Sequence, residues 1–173
     1  MGRTKTVSDA EVFLAIRQLL AAGGDKAVAF ASVARATGLA GPTLVQRFGS
    51  RAAMVQAALL AAWDSVNAAT LAAVSAADHS PKGAQDLLKS LNNSQLQSYD
   101  IAMLCRDLRD PALRQRAKSW RLSVEAALAL QLGGGANGRQ ASTLLFATWQ
   151  GQQMWKAAGG KSFKIKDAIK ALA

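Results

Sequence analysis

The spacing of the apolar residues is the feature that most constrains the fold of this chain. Apolar side chains recur every three or four residues along nearly the whole sequence, which is the pattern of one face of an α helix. The chain has 3 prolines, and no segment alternates apolar and polar residues with the β-branched enrichment of a strand. The sequence therefore predicts an all-α fold of about nine helices.

Capping and turn residues place the first four of these helices. Ser8 and Glu11 form a capping box, in which each side chain satisfies the other's backbone N–H. Gly38 supplies a left-handed turn after a short second helix, and Pro42 suits the first position of a third. Ser50 is the expected N-cap of a long fourth helix. The predicted ranges are about 9–22, 29–37, 42–48 and 51–75.

The second half of the chain reads as further helices. Pro81 opens one that weakens near Asn93, and Asp110 caps another that runs to about Gln131. After a glycine-rich loop, Asn137 is the expected cap of a helix of about twenty residues, and Ser162 that of a last helix.

Charge and composition narrow the functional classes. The chain carries 21 Lys and Arg against 11 Asp and Glu, a net charge of +10 that favours encounter with polyanions. Nucleic acid is the leading partner, and an anionic membrane surface or an acidic protein are the alternatives. One Cys and one His argue against a disulfide framework, a metal site or a cofactor-dependent centre. With no secretion signal and no run of apolar residues that would span a bilayer, we expect a cytoplasmic protein without membrane contact.

The segment 30–54 carries the most functional information. Two short helices joined by a glycine-containing turn are the minimum needed to present a helix to the DNA major groove. Leu44 and Phe48, four residues apart, predict the buried side of the second of these helices. Its start and outer side then carry groups that suit a groove, since Thr and Val contact thymine methyls and Gln and Arg hydrogen-bond base edges or phosphates. These residues are Gly41, Pro42, Thr43, Val45, Gln46 and Arg47. The alternative is an ordinary three-helix packing unit whose exposed side is merely solvated.

The same segment resembles the TetR family of bacterial transcriptional regulators over about residues 8–60. The matching residues are Val33-Ala34, Gly38-Leu39, Thr43-Leu44, Phe48, Ser50-Arg51 and Met54. Three features depart from the family pattern: Val45-Gln46 replaces an aromatic pair, Arg51 replaces a lysine, and the threonine at the start of the second helix is replaced near Ala29. The operator sequence therefore cannot be transferred from a relative.

The resemblance implies a helix-turn-helix DNA-binding domain over 1–56 and a helical ligand-binding and dimerisation domain over 57–173. It adds Ser32 and Arg51 to the predicted DNA contacts, and Trp63 is expected to belong to the second domain. A homodimer is expected through the last two helices, 138–158 and 162–173, along a stripe that reads Leu144, Leu145, Thr148, Gly151, Gln152 and Trp155.

A mainly apolar small-molecule effector is expected between the middle helices of such a regulator. The candidate lining residues are Tyr99, Met103, Trp120, Phe146, Trp149 and Met154. Aromatic and Met side chains suit an apolar ligand, although the same residues at helical spacing also build an ordinary core.

Two other functional classes remain as alternatives. A helical interaction or scaffold protein without DNA binding fits the helical pattern alone. A small helical enzyme fits less well, because the sequence shows no nucleotide-binding loop, no metal-ligand cluster and a single His as a general base. We therefore expect no catalytic residues.

Overall fold

A computed structural model describes residues 7–93, 104–105, 108–155, 158–159 and 164–172. Several residues singled out from the sequence lie outside these ranges, so their predicted roles are not addressed by the structure. They are Tyr99, Met103 and Ser162.

The described residues form eight α helices and one 3-10 turn, and none of them is in a strand. The all-α fold is confirmed, and the expected count of about nine helices is close to what the described part of the chain contains. The helices are α1 Asp9–Gly23, α2 Phe30–Thr37, α3 Gly41–Phe48, α4 Arg51–Ala76, α5 Pro81–Asn93, α6 Pro111–Gln131, α7 Gly135–Trp155 and α8 Ile165–Leu172, with the 3-10 turn at Asp25–Ala27.

Side-chain caps set several helix starts, as the sequence predicted. The Ser8 N–H donates to Glu11 Oε2 (2.8 Å), and the Glu11 N–H donates to Ser8 Oγ (3.3 Å). Ser50 Oγ accepts the N–H of Ala53 at 3.1 Å at the start of α4. Asp110 Oδ1 accepts two backbone N–H groups at the start of α6, those of Ala112 (2.8 Å) and Leu113 (3.1 Å). Each cap satisfies donors that have no partner inside the helix.

The chain divides into two compact units. The first comprises the described residues of Met1–Asp64 and Leu96–Leu113, and the second those of Ser65–Gln95 and Arg114–Ala173. The division falls inside α4, between Asp64 and Ser65, and the buried Trp63 lies in the first unit. The assignment of Trp63 to the functional second domain stays a prediction. The functional division at residue 56 stays a prediction.

The first unit has its own apolar core. In α1, Val12, Ile16 and Leu20 are buried at spacings of four residues, which places them on one side of the helix. The α1 helix packs against α2 and the 3-10 turn, and α2 packs against α3. The first turns of α4 contribute Met54, which is also fully buried.

The second unit is built from longer helices. The last described helix, α8, packs against α5 and α7 and buries Ile169. At the turn between α6 and α7, a Cβ on Gly138 would lie 2.7 Å from the carbonyl oxygen of Ala129, so only glycine permits this approach. The α7 helix begins at Gly135 rather than at the expected cap Asn137, because the Gly138 N–H already bonds to the Gly134 carbonyl (2.9 Å).

Helix α4 is apolar as well as long. By length and composition alone it is the one helix of the described residues that could cross a membrane, which the sequence reading did not anticipate. Its buried residues include Ala58, Leu59 and Trp63 in the first unit, and Val66 and Thr70 in the second. Buried side chains of this kind are typical of a core helix in a globular protein. Such core helices can have the same length and apolar composition as a membrane-spanning helix.

Candidate nucleic-acid interface

Helices α2 and α3 form a helix-turn-helix. The turn depends on Gly38, whose φ of 75° and ψ of 6° are left-handed and therefore favour glycine. The Gly38 N–H donates to the carbonyl of Ala34 at 2.8 Å, which closes α2. Two residues on, the chain turns into α3 at Ala40, whose carbonyl accepts the first N–H groups of that helix.

The inner side of α3 is fixed by two residues. Leu44 is fully buried in the first unit, together with Val33 of α2. The Phe48 ring lies 5.9 Å from the Phe13 ring of α1, measured between centroids, with the planes tilted by 50°. This packing at both ends of the helix settles which side of α3 points outward.

The outer side of α3 is exposed within the chain. Pro42 and Gln46 are exposed, Val45 is 45% exposed, and Thr43 is half-buried. A Cβ built on Gly41 would meet none of the described residues within 4 Å, apart from its chain neighbours and the backbone of α3. We call the outer residues Pro42, Thr43, Val45, Gln46 and Arg47 the α3 face.

Arg47 belongs to the α3 face but is bonded within its own chain. Its Nη1 donates to the carbonyl oxygen of Val7 at 2.9 Å and lies 3.4 Å from Asp9 Oδ1. Asp9 is in the first turn of α1, 38 residues away along the chain. The guanidinium therefore has an acidic neighbour that the sequence reading missed.

Arg51 is held by more bonds than Arg47. Its Nε donates to the Val28 carbonyl at 2.5 Å. Its Nη2 donates to the Asp25 carbonyl and pairs with Asp25 Oδ1 at 2.7 Å. Arg51 thus fastens the first turn of α4 to the 3-10 turn. No periodicity in the sequence links these residues, because the contacts join positions more than 20 apart.

Ser32 closes the start of α2. Its Oγ accepts the Ala29 N–H at 2.9 Å and lies within hydrogen-bond distance of the carbonyls of Ala27 (2.8 Å) and Ala29 (2.9 Å). This hydroxyl supplies the cap that Ala29 lacks. A serine at the third helical position was a signal available in the sequence.

A solved structure has a fold similar to that of this chain. The chain is similar to the TetR family transcriptional regulator PfmR from Thermus thermophilus, with a TM-score of 0.66 and 17% sequence identity. The likeness covers 93% of this chain and 94% of PfmR. The fold is that of a TetR family regulator. No protein-family model and no curated protein sequence matches the chain.

Three of the four described residues predicted to line an effector pocket form a packed cluster in the second unit. Trp120, Phe146 and Trp149 are buried, with ring centroids 5.7 to 6.4 Å apart. The Trp120 Nε1–H donates to Thr70 Oγ1 at 2.8 Å, and the Trp149 Nε1–H donates to Asn92 Oδ1 at 2.9 Å. A ligand here would have to displace packed rings, so their role in binding stays a prediction.

The outer side of α7 is exposed and apolar. Leu144 is 48%, Met154 67% and Trp155 72% exposed. Met154 therefore does not line the interior as expected, and Leu145, which was placed on the predicted dimer stripe, is fully buried instead. The alternation follows from the helical period, since neighbouring positions point about 100° apart. We call Leu144, Ala147, Thr148, Gly151, Met154 and Trp155 the α7 face.

Proposed function

We propose that this chain is a transcriptional regulator of the TetR type, which binds a palindromic DNA operator as a homodimer in the cytoplasm. The observation that carries the proposal is the α3 face. A short helix packed from behind by Leu44 and Phe48, with its outer side exposed, is what entry into a major groove requires. PfmR, whose fold this chain shares, is described as a transcriptional regulator.

The proposed base contacts come from the middle of the α3 face. Gln46 has the donor and acceptor pair that recognises adenine, and Thr43 and Val45 offer methyl groups to thymine. Gly41 and Pro42 at the start of α3 permit a close approach of the helix to the DNA. The contacts predicted for Ser32, Arg47 and Arg51 would each require the side chain to leave own-chain partners.

Dimerisation is proposed through the α7 face. Arg139 is the only charged residue between Gly135 and Trp155, so the exposed apolar residues have no charge among them. Two copies of a chain with a net charge of +10 repel one another, and an uncharged apolar face is where that repulsion is least. Apart from the backbone of α7 itself, no described residue lies within 4 Å of a Cβ built on Gly151, which leaves room for a partner helix. The apolar side of α8 is used against α5 and α7, so α7 supplies most of the proposed interface.

The proposed mechanism is a shift between two populations. Operator binding needs the two DNA-binding regions of the dimer about 34–36 Å apart, one turn of DNA. A mainly apolar effector that binds better to another conformation of the second unit would lower operator affinity. Helix α4 carries residues of both units and is the proposed route of this coupling. We propose repression relieved by the effector.

A helical interaction protein without DNA binding is the second candidate, and the exposed α7 face is the observation that favours it. An enzyme has no comparable support: within the described ranges no three His, Cys, Asp or Glu residues cluster as metal ligands would. Binding to duplex DNA separates the two candidates.

In the experiment, the protein is titrated into labelled DNA taken from beside the chain's own gene. Binding is monitored by fluorescence anisotropy, and the titration is repeated at increasing salt concentrations. We expect tight binding that weakens as salt rises, since each phosphate contact contributes a slope of about −0.9 in log K against log salt. An unrelated duplex of the same length is the control and is expected to bind more weakly. Equal affinity for both duplexes, or no binding at low salt, would contradict the proposal.

A further inference from the structure

Each of the two arginines near the proposed DNA surface is paired with an aspartate, but the pairs differ in strength. We propose that Asp9 withholds Arg47 from the DNA phosphates and so weakens the sequence-independent part of DNA binding, whereas Arg51 is a structural clamp that does not contact DNA. This inference rests on the proposed function, since it concerns the same surface.

The Asp9–Arg47 pair is loose enough to be exchanged. The two side chains are 3.4 Å apart, and the Asp9 side chain is 63% exposed. Arg47 has one further bond, to the Val7 carbonyl. An exposed ion pair of this kind contributes little free energy. Its presence changes the equilibrium between Arg47 bound to Asp9 and Arg47 released by a factor of only about one to five. Arg47 is therefore a cation on the α3 face whose charge is offset by a neighbour that a phosphate could replace.

The Asp25–Arg51 pair is anchored differently. The ion pair is 2.7 Å long, and two backbone carbonyls, those of Asp25 and Val28, also accept hydrogen bonds from the same guanidinium. Removing the Asp25 carboxylate leaves both carbonyls in place. Arg51 would then still hold the 3-10 turn against α4 and would gain no freedom to reach a phosphate.

The two aspartates therefore make a matched pair of variants. Asp9→Asn and Asp25→Asn each remove one negative charge from the first unit, so any effect of net charge alone is the same in both. Binding is measured by anisotropy with a labelled random-sequence duplex of about three helical turns, as a function of salt. We expect Asp9→Asn to steepen the slope of log K against log salt by about 0.9, the value of one added phosphate contact.

A slope steeper by about 0.9 means that Asp9→Asn binds the duplex about eightfold more tightly than the unchanged protein near 0.1 M salt. This gain in affinity disappears as the salt concentration approaches 1 M. Asp25→Asn is expected to leave both slope and affinity as in the unchanged protein. If Asp9→Asn shifts the melting temperature, Asp9→Ser is used in its place, since serine is also tolerated at a helix start.

A second background shows whether the gain passes through Arg47. Arg47→Gln alone is expected to lower the salt slope by much less than the roughly 0.9 of a full phosphate contact, because Asp9 already competes with phosphate for Arg47. When Asp9→Asn is added to Arg47→Gln, the slope of log K against log salt is expected to stay at the value of Arg47→Gln alone. If the double variant keeps the full gain, Asp9 acts by direct repulsion of phosphate and the inference is wrong.

Arg51→Gln tests the clamp, since glutamine lacks the charge that a phosphate contact requires and cannot bond to two carbonyls and a carboxylate at once. We expect a lower melting temperature and an unchanged salt slope; a shallower slope with unchanged melting would assign Arg51 to phosphate.

The failure of the inference is distinguishable from that of the proposed function. Equal slopes for Asp9→Asn and Asp25→Asn, in a protein that binds DNA, would overturn the inference and leave the regulator assignment standing. No binding of any duplex at low salt would overturn both.

Discussion

The outer sides of α3 and α7 are both exposed, but they differ in chemistry. The α3 face carries an amide, a hydroxyl and a guanidinium beside one Val, whereas the α7 face carries Leu144, Met154 and Trp155 with no charge among them. Base edges and phosphates require donors, acceptors and cations. A second copy of this basic chain requires a different surface, one that is apolar and carries no charge. The difference indicates that the two faces meet different partners.

The largest expected effect comes from a charge placed on the α7 face. Leu144→Glu would put two carboxylates into the proposed dimer contact, and we expect the dimer to dissociate. Because a dimer holds both half-sites at once, operator affinity should fall by about 100-fold or more. Light scattering gives the mass, and anisotropy gives the affinity.

The control for this variant is Leu71→Glu. Leu71 is also an exposed leucine of the second unit, but it lies in α4, outside the α7 face. It should change neither mass nor affinity. If the Leu144→Glu protein has the mass of the unchanged protein's dimer at all concentrations, α7 is not the interface.

The next effect concerns base recognition by the α3 face. Gln46→Ala removes a side chain that can make a bidentate contact with adenine, worth about 1–3 kcal/mol of discrimination. We expect preference at one symmetric pair of operator positions to fall by about 5- to 150-fold, with the salt slope unchanged. Competition with single-base operator variants measures this.

Gln140→Ala is the matched control, because Gln140 is an exposed glutamine of α7. It is expected to leave operator preference intact. If both glutamine variants change base preference to the same extent, the α3 face does not recognise the base sequence of the operator.

The smallest effect tests whether the α3 face contributes to folding at all. Val45→Ala changes an exposed side chain, so the free energy of unfolding should stay within about 0.5 kcal/mol of the unchanged protein. Val33→Ala, at a buried position of α2, should lower it by about 2 kcal/mol. Urea denaturation compares the two. A large loss for Val45→Ala would mean that this side of α3 is packed against something.

Local signals in the sequence predicted most of the fold. Ser8, Ser50 and Asp110 act within three residues of themselves, so a cap can be read without knowing the tertiary structure. The side of α3 that is buried followed from the spacing of Leu44 and Phe48. The start of α7 was missed because it is set by the bond from the Gly138 N–H to the Gly134 carbonyl, a backbone bond that no side-chain cap marks in the sequence.

Long-range polar contacts could not be predicted. The pairing of Asp9 with Arg47 and of Asp25 with Arg51 joins separate elements of the first unit, and no spacing rule relates their positions. The partners of the buried indole N–H groups, Thr70 and Asn92, come from other helices for the same reason. Because these contacts decide which charges are free, the shape of the α3 face could be predicted from local spacing but its electrostatics could not.

The central claim is that the α3 face reads a symmetric DNA sequence, and selection from a pool of random duplexes tests it most directly. The account predicts enrichment of an inverted repeat with half-site centres about 10–10.5 base pairs apart, or a multiple of one turn. It also predicts that Gln46→Ala changes the selected base at the same position in both half-sites. Enrichment of no sequence, or of one that Gln46→Ala leaves untouched, would contradict it.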